Sequence, residues 1–173
     1  MSAGLQLIDL NELLDGQPVC QVVLSNAYAE ISLLSFGAAL QSFEIDLPGF
    51  IKRDVVLGYP DWKTYQRTFD FPSNAYMGHI VGPIAGRVAN ATIPWGKDTW
   101  TFEVNEGQHL LHGGKHCFSN HNWKVKATQQ QPYPSVTFEL QEKEKFNLPG
   151  VLNCSVTYTL KDKELDIQIE SIA

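Results

Sequence analysis

Apolar and polar residues alternate with a period of two along much of the chain, the pattern of strands with one buried face. SVTFEL puts Val136, Phe138 and Leu140 on one side, and LNCSVTYTL does so with Leu152, Cys154, Val156, Tyr158 and Leu160. ELDIQIE aligns Leu165, Ile167 and Ile169 before the alternation stops at Ser171. TWTFEV groups Trp100, Phe102 and Val104, and NWKVKA groups Trp123, Val125 and Ala127. VCQVVL, AEISLL, AALQSFEI and DVVLGY predict further strands with less regular spacing. YPDWKTYQRTF is the best short-helix segment, with Trp62, Tyr65 and Phe69 recurring near one and two turns.

Turn signals separate these runs: LPGF at 47–50, PWGKD at 94–98, LPGV at 148–151 and KDKE at 161–164. About ten short strands without a long helix predict an all-β sandwich or barrel. The 173 residues are enough for one domain, read here as a single domain over 1–173 with no repeat and no linker. The last strand, from Glu164, runs almost to Ala173 with no turn after it. It reads either as a terminal edge strand or as the end of the front part of something longer.

A chain that is 43% hydrophobic should fold, and a formal net charge of -6 leaves no basic surface for nucleic acid. No apolar run is long enough to span a membrane. The N-terminus lacks the basic-then-apolar order of a signal peptide. Three cysteines give no paired framework, so a reducing cytoplasm is the expected compartment.

Four of the five histidines, His109, His112, His116 and His121, fall in QHLLHGGKHCFSNHNW. A metal site is disfavoured there: the adjacent glycines argue against a helix, and no carboxylate lies inside the cluster. Surface or structural histidines without a function are the alternative. In LHGG, at 111–114, a histidine followed by two glycines can present an unshielded ring to a cleft. Trp95, Phe118 and Trp123 could supply the flat apolar floor that a sugar ring needs. GPIAGR, at 82–87, is not a phosphate loop, since no Lys-Ser or Lys-Thr follows it. It reads as a turn with an arginine, or as backbone that approaches a ligand closely.

Together these stretches resemble the aldose 1-epimerase family, the galactose mutarotases. The family carries G-R-x-A-N-R and, further on, L-H-G-G-x-x-G-F followed by a tryptophan. VGPIAGRVANATI lies on the first without a gap, which sets Arg87 on the last arginine. LHGGKHCFSNHNW lies on the second, with Phe118 and Trp123 in place, and His112 falls 25 residues after Arg87 (112 − 87). TYTL at 157–160 and Glu164–Leu165 also match the family's later strands. The departures are Pro83 for the first arginine, Gly86 for the asparagine and Cys117 for the glycine before the phenylalanine. They weaken any claim of galactose preference.

The resemblance implies a large antiparallel β-sandwich of the galactose mutarotase type, of which this chain is the N-terminal portion. It implies interconversion of the α and β anomers of an aldose such as glucose or galactose, without cofactor or metal. His112 is similar to the family's first site histidine, near the ring oxygen, and is expected to act there in catalysis and in binding. Arg87 is expected to hold a sugar hydroxyl. His109 is near enough in sequence to line the cleft, while His79, His116 and His121 have no matched role. The family's acid histidine and base glutamate are expected beyond Ala173, so the chain alone is expected to be inactive. A non-catalytic sugar-binding module or an inactive fragment is the alternative. Asp98, Glu103 and Glu106 lie close in sequence, and nothing in their spacing marks one as a base. A half-sandwich with open edges is expected to pair with a second copy or with a missing C-terminal half.

Overall fold

The structure, a computed structural model, describes residues 4–49, 51–68, 75–142 and 151–173. Its first sheet is an antiparallel meander in sequence order: β1 (Gly4–Leu14), β2 (Gln17–Ser25), β3 (Ala29–Leu34), β4 (Ala39–Leu47) and β5 (Ile51–Asp54). The helix α1 (Trp62–Thr68) follows. Two small ladders come next: β6 (Arg87–Val88) pairs with β9 (Leu110–Leu111), and β7 (Thr92–Trp95) pairs with β8 (Asp98–Thr101). The second main sheet is β10 (Lys124–Gln129), β11 (Ser135–Glu142), β12 (Leu152–Lys161) and β13 (Glu164–Ile172), again antiparallel and in order.

The two main sheets share a core, which makes the all-β sandwich expected from the sequence. Val22, Leu24, Ile31 and Leu33 from the first sheet meet Val136, Phe138, Leu140, Val156, Tyr158 and Leu160 from the second. Each such side chain removed from water contributes roughly 2 kcal/mol before entropy is counted. The Tyr158 hydroxyl donates to the Ala38 carbonyl at 2.7 Å, so the one polar atom of that ring is satisfied inside the core. α1 starts because Asp61 caps it, accepting from the Thr64 N–H at 2.8 Å and the Thr64 hydroxyl at 3.0 Å. Its Trp62 and Tyr65 are buried with Phe36 and Val19 in a second cluster.

Several expectations need correction. β1 was not anticipated from the N-terminal sequence, and Leu7 and Leu13 on it are largely exposed. DVVLGY does not form a strand. Asp54 accepts from the N–H groups of Phe43 and Val56, which ends β5 and turns the chain outward with Leu57 80% exposed. TWTFEV is strand only as far as Thr101. The alternation in NWKVKA breaks at a bulge between Val125 and Ala127. Val125 lies opposite Phe138 whereas Ala127 lies opposite Thr137, on the other face, and is exposed. The last strand does run almost to Ala173, as β13 over Glu164–Ile172. Phe69, Phe50 and the stretch 146–150 lie outside the described residues.

The connection over 75–123 joins the two sheets and carries the histidine cluster. Its end is pinned to the β3–β4 turn: the Gly37 N–H donates to the His121 carbonyl, the Trp123 N–H to the Ser35 carbonyl, and Phe36 bridges Asn122. Its start is pinned to the same turn, with the Ile80 N–H on the Gly37 carbonyl and the Leu40 N–H on the Gly78 carbonyl. Both ends of the site-bearing segment therefore rest on one rigid corner of the sandwich.

Candidate functional site

His112 leaves β9 in the left-handed region, at φ 52°, and Gly113 and Gly114 follow at 78° and 63°. A side chain in that region is strained unless its surroundings hold it. Here the His112 N–H donates to the Gly86 carbonyl at 2.9 Å, and the Gly86 N–H donates back to Nδ1 of the His112 ring at 3.0 Å. Gly86 itself sits at φ 84°, a conformation that suits glycine. The two glycine-rich motifs are thus two halves of one clasp. Gly82 completes it: its carbonyl accepts from the Phe118 N–H at 2.7 Å, and the Phe118 ring packs on its Cα face.

The clasp sets the chemistry of His112. An Nδ1 that accepts a hydrogen bond carries no proton, so the neutral ring holds its proton on Nε2. Burial of the ring, and then the Arg87 charge, lower its pKa, while Glu106 opposes them. The ring is half-buried, and the edge-to-face neighbour Tyr76 lies 4.9 Å away between centroids. Burial pushes the Tyr76 phenol up to about 12, so it is a neutral hydroxyl near neutral pH. His112 can therefore donate a hydrogen bond from Nε2 without bearing a charge.

Arg87 lies beside it. Residue 87 pairs with Leu111 across the β6–β9 ladder, which sets the arginine and His112 on adjacent backbone. Its side chain is 61% exposed and grips Glu106 with two donors, Nε to Oε2 and Nη2 to Oε1. Glu106 is placed by a tight turn in which it and His109 exchange backbone hydrogen bonds. Asn105 clamps that turn, accepting from the Leu111 N–H at 2.7 Å and donating to the Leu111 carbonyl at 3.0 Å. His109 is half-buried, and its Nδ1 accepts from the Asn90 N–H at 3.2 Å.

The structure thus brings Arg87 and His112 together, with Glu106, His109 and Tyr76 around them. It does not bring His79 or His121 there. His79 is buried edge-on against Phe36 and Tyr65, and His121 is buried at the sandwich corner. Among the described residues no three His, Cys, Asp or Glu side chains gather as metal ligands would. The apolar floor does not form as expected either. Phe118 and Trp123 are core residues, packed edge-to-face on each other, with the Trp123 indole N–H on the Phe118 carbonyl. Trp95 is exposed, but it stands on the β7–β8 hairpin stacked against Trp100. Glu103 is paired with Lys115 and Glu106 with Arg87. Those partners hold both carboxyls below the usual range, which suits neither to proton abstraction at neutral pH. Glu106, Tyr76 and Asn105 were not marked as site residues by the sequence. Their partners are fixed by turn geometry that no spacing rule encodes.

The sequence profile of the aldose 1-epimerase family matches residues 21–173. The chain is 29% identical over 161 residues to a maltose epimerase of Levilactobacillus brevis, covering 91% of this chain and 46% of that protein. It is 30% identical over 150 residues to an aldose 1-epimerase of Escherichia coli, covering 86% of this chain and 41% of that one. The fold matches a galactose 1-epimerase structure from Lactobacillus acidophilus with a TM-score of 0.84 at 22% identity, over 99% of this chain and 49% of that one. A Caenorhabditis elegans aldose epimerase homologue matches with a TM-score of 0.75 at 26% identity, over 98% of this chain and 46% of that one. The chain spans about half the length of the curated relatives it matches. With a family match over residues 21–173, the chain belongs to the aldose 1-epimerase family.

Proposed function

We propose that this chain supplies the substrate-orienting side of a sugar 1-epimerase, with a monosaccharide aldose as the ligand. Mutarotation removes the proton from the C1 hydroxyl and protonates the ring oxygen. The C1–O5 bond opens, the aldehyde turns, and the ring closes on its other face. In this reading the Nε2–H of His112 hydrogen-bonds the ring oxygen as negative charge grows on it. Arg87 donates to a neighbouring hydroxyl and fixes the ring's orientation. The observation that carries the reading is the Gly86-to-Nδ1 hydrogen bond, which commits His112 to the neutral, Nε2-protonated form beside Arg87.

The acid–base pair comes from polypeptide outside these 173 residues. Glu103 and Glu106, the carboxylates nearest His112 in sequence, are tied to cations. The same observation favours a second reading, a sugar-binding module without catalysis. Titration of the chain with galactose or glucose, followed by NMR, tests both readings together with polarimetry of freshly dissolved α anomer. Shifts centred on His112 that disappear in His112→Ala, with the fold intact, are expected. Binding with no acceleration of anomer exchange supports the division of labour, and catalysis restored by the remaining polypeptide selects the epimerase over the module. Acceleration by the chain alone would overturn the division, and absence of any binding would overturn the sugar reading.

A further inference from the structure

We propose that Glu106 is a specificity-determining residue that, by occupying the carboxylate-binding edge of Arg87, restricts the site to neutral sugars and rejects anionic ones such as aldose phosphates and uronic acids. The inference rests on the aldose reading above and names its substrate class.

The argument starts from the shape of guanidinium. Its Nε and terminal nitrogens form a fork that matches the two oxygens of a carboxylate or phosphate, which is why an unpaired arginine recruits anions. In this chain Glu106 already fills that fork through Nε and Nη2. An anionic sugar group arriving at Arg87 would have to displace Glu106 and would meet its negative charge while doing so. Another cation of this segment, Lys115, is likewise matched with Glu103.

Stability does not explain the Arg87–Glu106 pair. With the arginine side chain 61% exposed, solvent screening leaves little for folding to gain. Yet the carboxylate is carefully placed, on a turn held by reciprocal Glu106–His109 backbone bonds and clamped by Asn105. What the pair does offer is a donor group and an acceptor group side by side. Arginine only donates and an ionised carboxylate only accepts, whereas a sugar hydroxyl does both. Two adjacent hydroxyls can accept from Arg87 and donate to the free lone pairs of Glu106, an arrangement that a carboxylate, which only accepts, or a phosphate, which at neutral pH is mostly the dianion, does not match.

The test compares the dissociation constants of galactose, glucose, glucose 6-phosphate and galacturonate with the chain at pH 7 and fixed ionic strength. Glu106→Gln is the variant. Glu44→Gln, which removes the same charge from an exposed pair with Lys52, is the control. The wild type is expected to bind the neutral sugars at least about tenfold more tightly than the anions, and Glu106→Gln to narrow that gap by about tenfold, with the control unchanged. An arginine Nε–H resonance that is slowly exchanging in the wild type and lost in Glu106→Gln would show that the grip exists in solution. Equal binding of neutral and anionic sugars by the wild type would overturn the inference and leave the aldose reading standing, as would a ratio that Glu106→Gln does not move. Binding of neither class would overturn the aldose reading and this inference with it.

Discussion

Gly82 and Gly86 stand four positions apart in one motif, and substitution should expose two different constraints. A Cβ on Gly82 would run into the Phe118 ring, which is 5% exposed and packed on Trp123. Gly82→Ala should therefore cost about 1–3 kcal/mol, the usual result of overfilling a packed site, and lower the urea midpoint accordingly. A Cβ on Gly86 meets nothing within 4 Å, but its φ of 84° strains any residue with a side chain. Gly86→Ala should cost only about 1 kcal/mol. It should still disturb His112, because relaxing that φ moves the N–H that fixes Nδ1. Nitrogen-15 shifts of the His112 ring would report the loss. An unchanged ring with a large drop in stability would reverse the assignment. The glycine-rich strings were legible as places where backbone comes close to something. The close approach proved to be to Phe118 and to His112 within the chain, and those pairings join residues 36 (118 − 82) and 26 apart.

At the scale of elements, β11 and β12 were legible almost residue by residue, because both are central strands and alternation there equals burial. β5 was misplaced, lying before Val55 rather than over DVVLGY, and β8 was overextended. A side-chain cap at Asp54 ends the first, and a backbone hydrogen bond from Phe102 to Ala91 marks the exit of the second. β13 is the instructive case. Ile167 and Ile169 lie opposite Tyr158 and Val156, so they share the core-facing side of the sheet. Tyr158 and Val156 are 1% and 0% exposed, whereas Ile167 and Ile169 are 44% and 54% exposed. Among the described residues no strand lies on the outer edge of β13. An apolar strand face beside an open edge favours association. Ile169→Lys should therefore leave the urea midpoint nearly unchanged, within about 0.5 kcal/mol, and shift sedimentation toward monomer at high concentration. A loss above about 2 kcal/mol would mean that Ile169 is packed within this chain.

Across the whole molecule, buried neutral groups set the pH range over which the fold is most stable. Burial lowers the pKa of His79 to about 4, because its ring sits between Phe36 and Tyr65 at the corner that holds both ends of the site segment. The unfolded chain takes up that proton near pH 6.5, whereas the folded chain resists it until about pH 4. Between those values the unfolded state binds more protons, so stability is lost as pH falls through the window. A separation of this size corresponds to about 3 kcal/mol at its lower end. His112 is shifted in the same direction and adds to the slope. On the alkaline side the sign reverses. Tyr158, buried with its hydroxyl on the Ala38 carbonyl, has its pKa raised, so the unfolded chain loses that proton first and stability falls as pH rises above about 10. The plateau should lie between these flanks. Urea midpoints at pH 7 and pH 4.5 for the wild type and His79→Gln test the acidic flank. The variant is expected to be weaker at pH 7 but to lose much less between the two values, since the difference between pH values isolates the titration from any packing defect. If both proteins lose the same amount, the acid sensitivity arises elsewhere, and the His112 ring, shifted downward like His79 and titrating in the same window, is the next group to substitute.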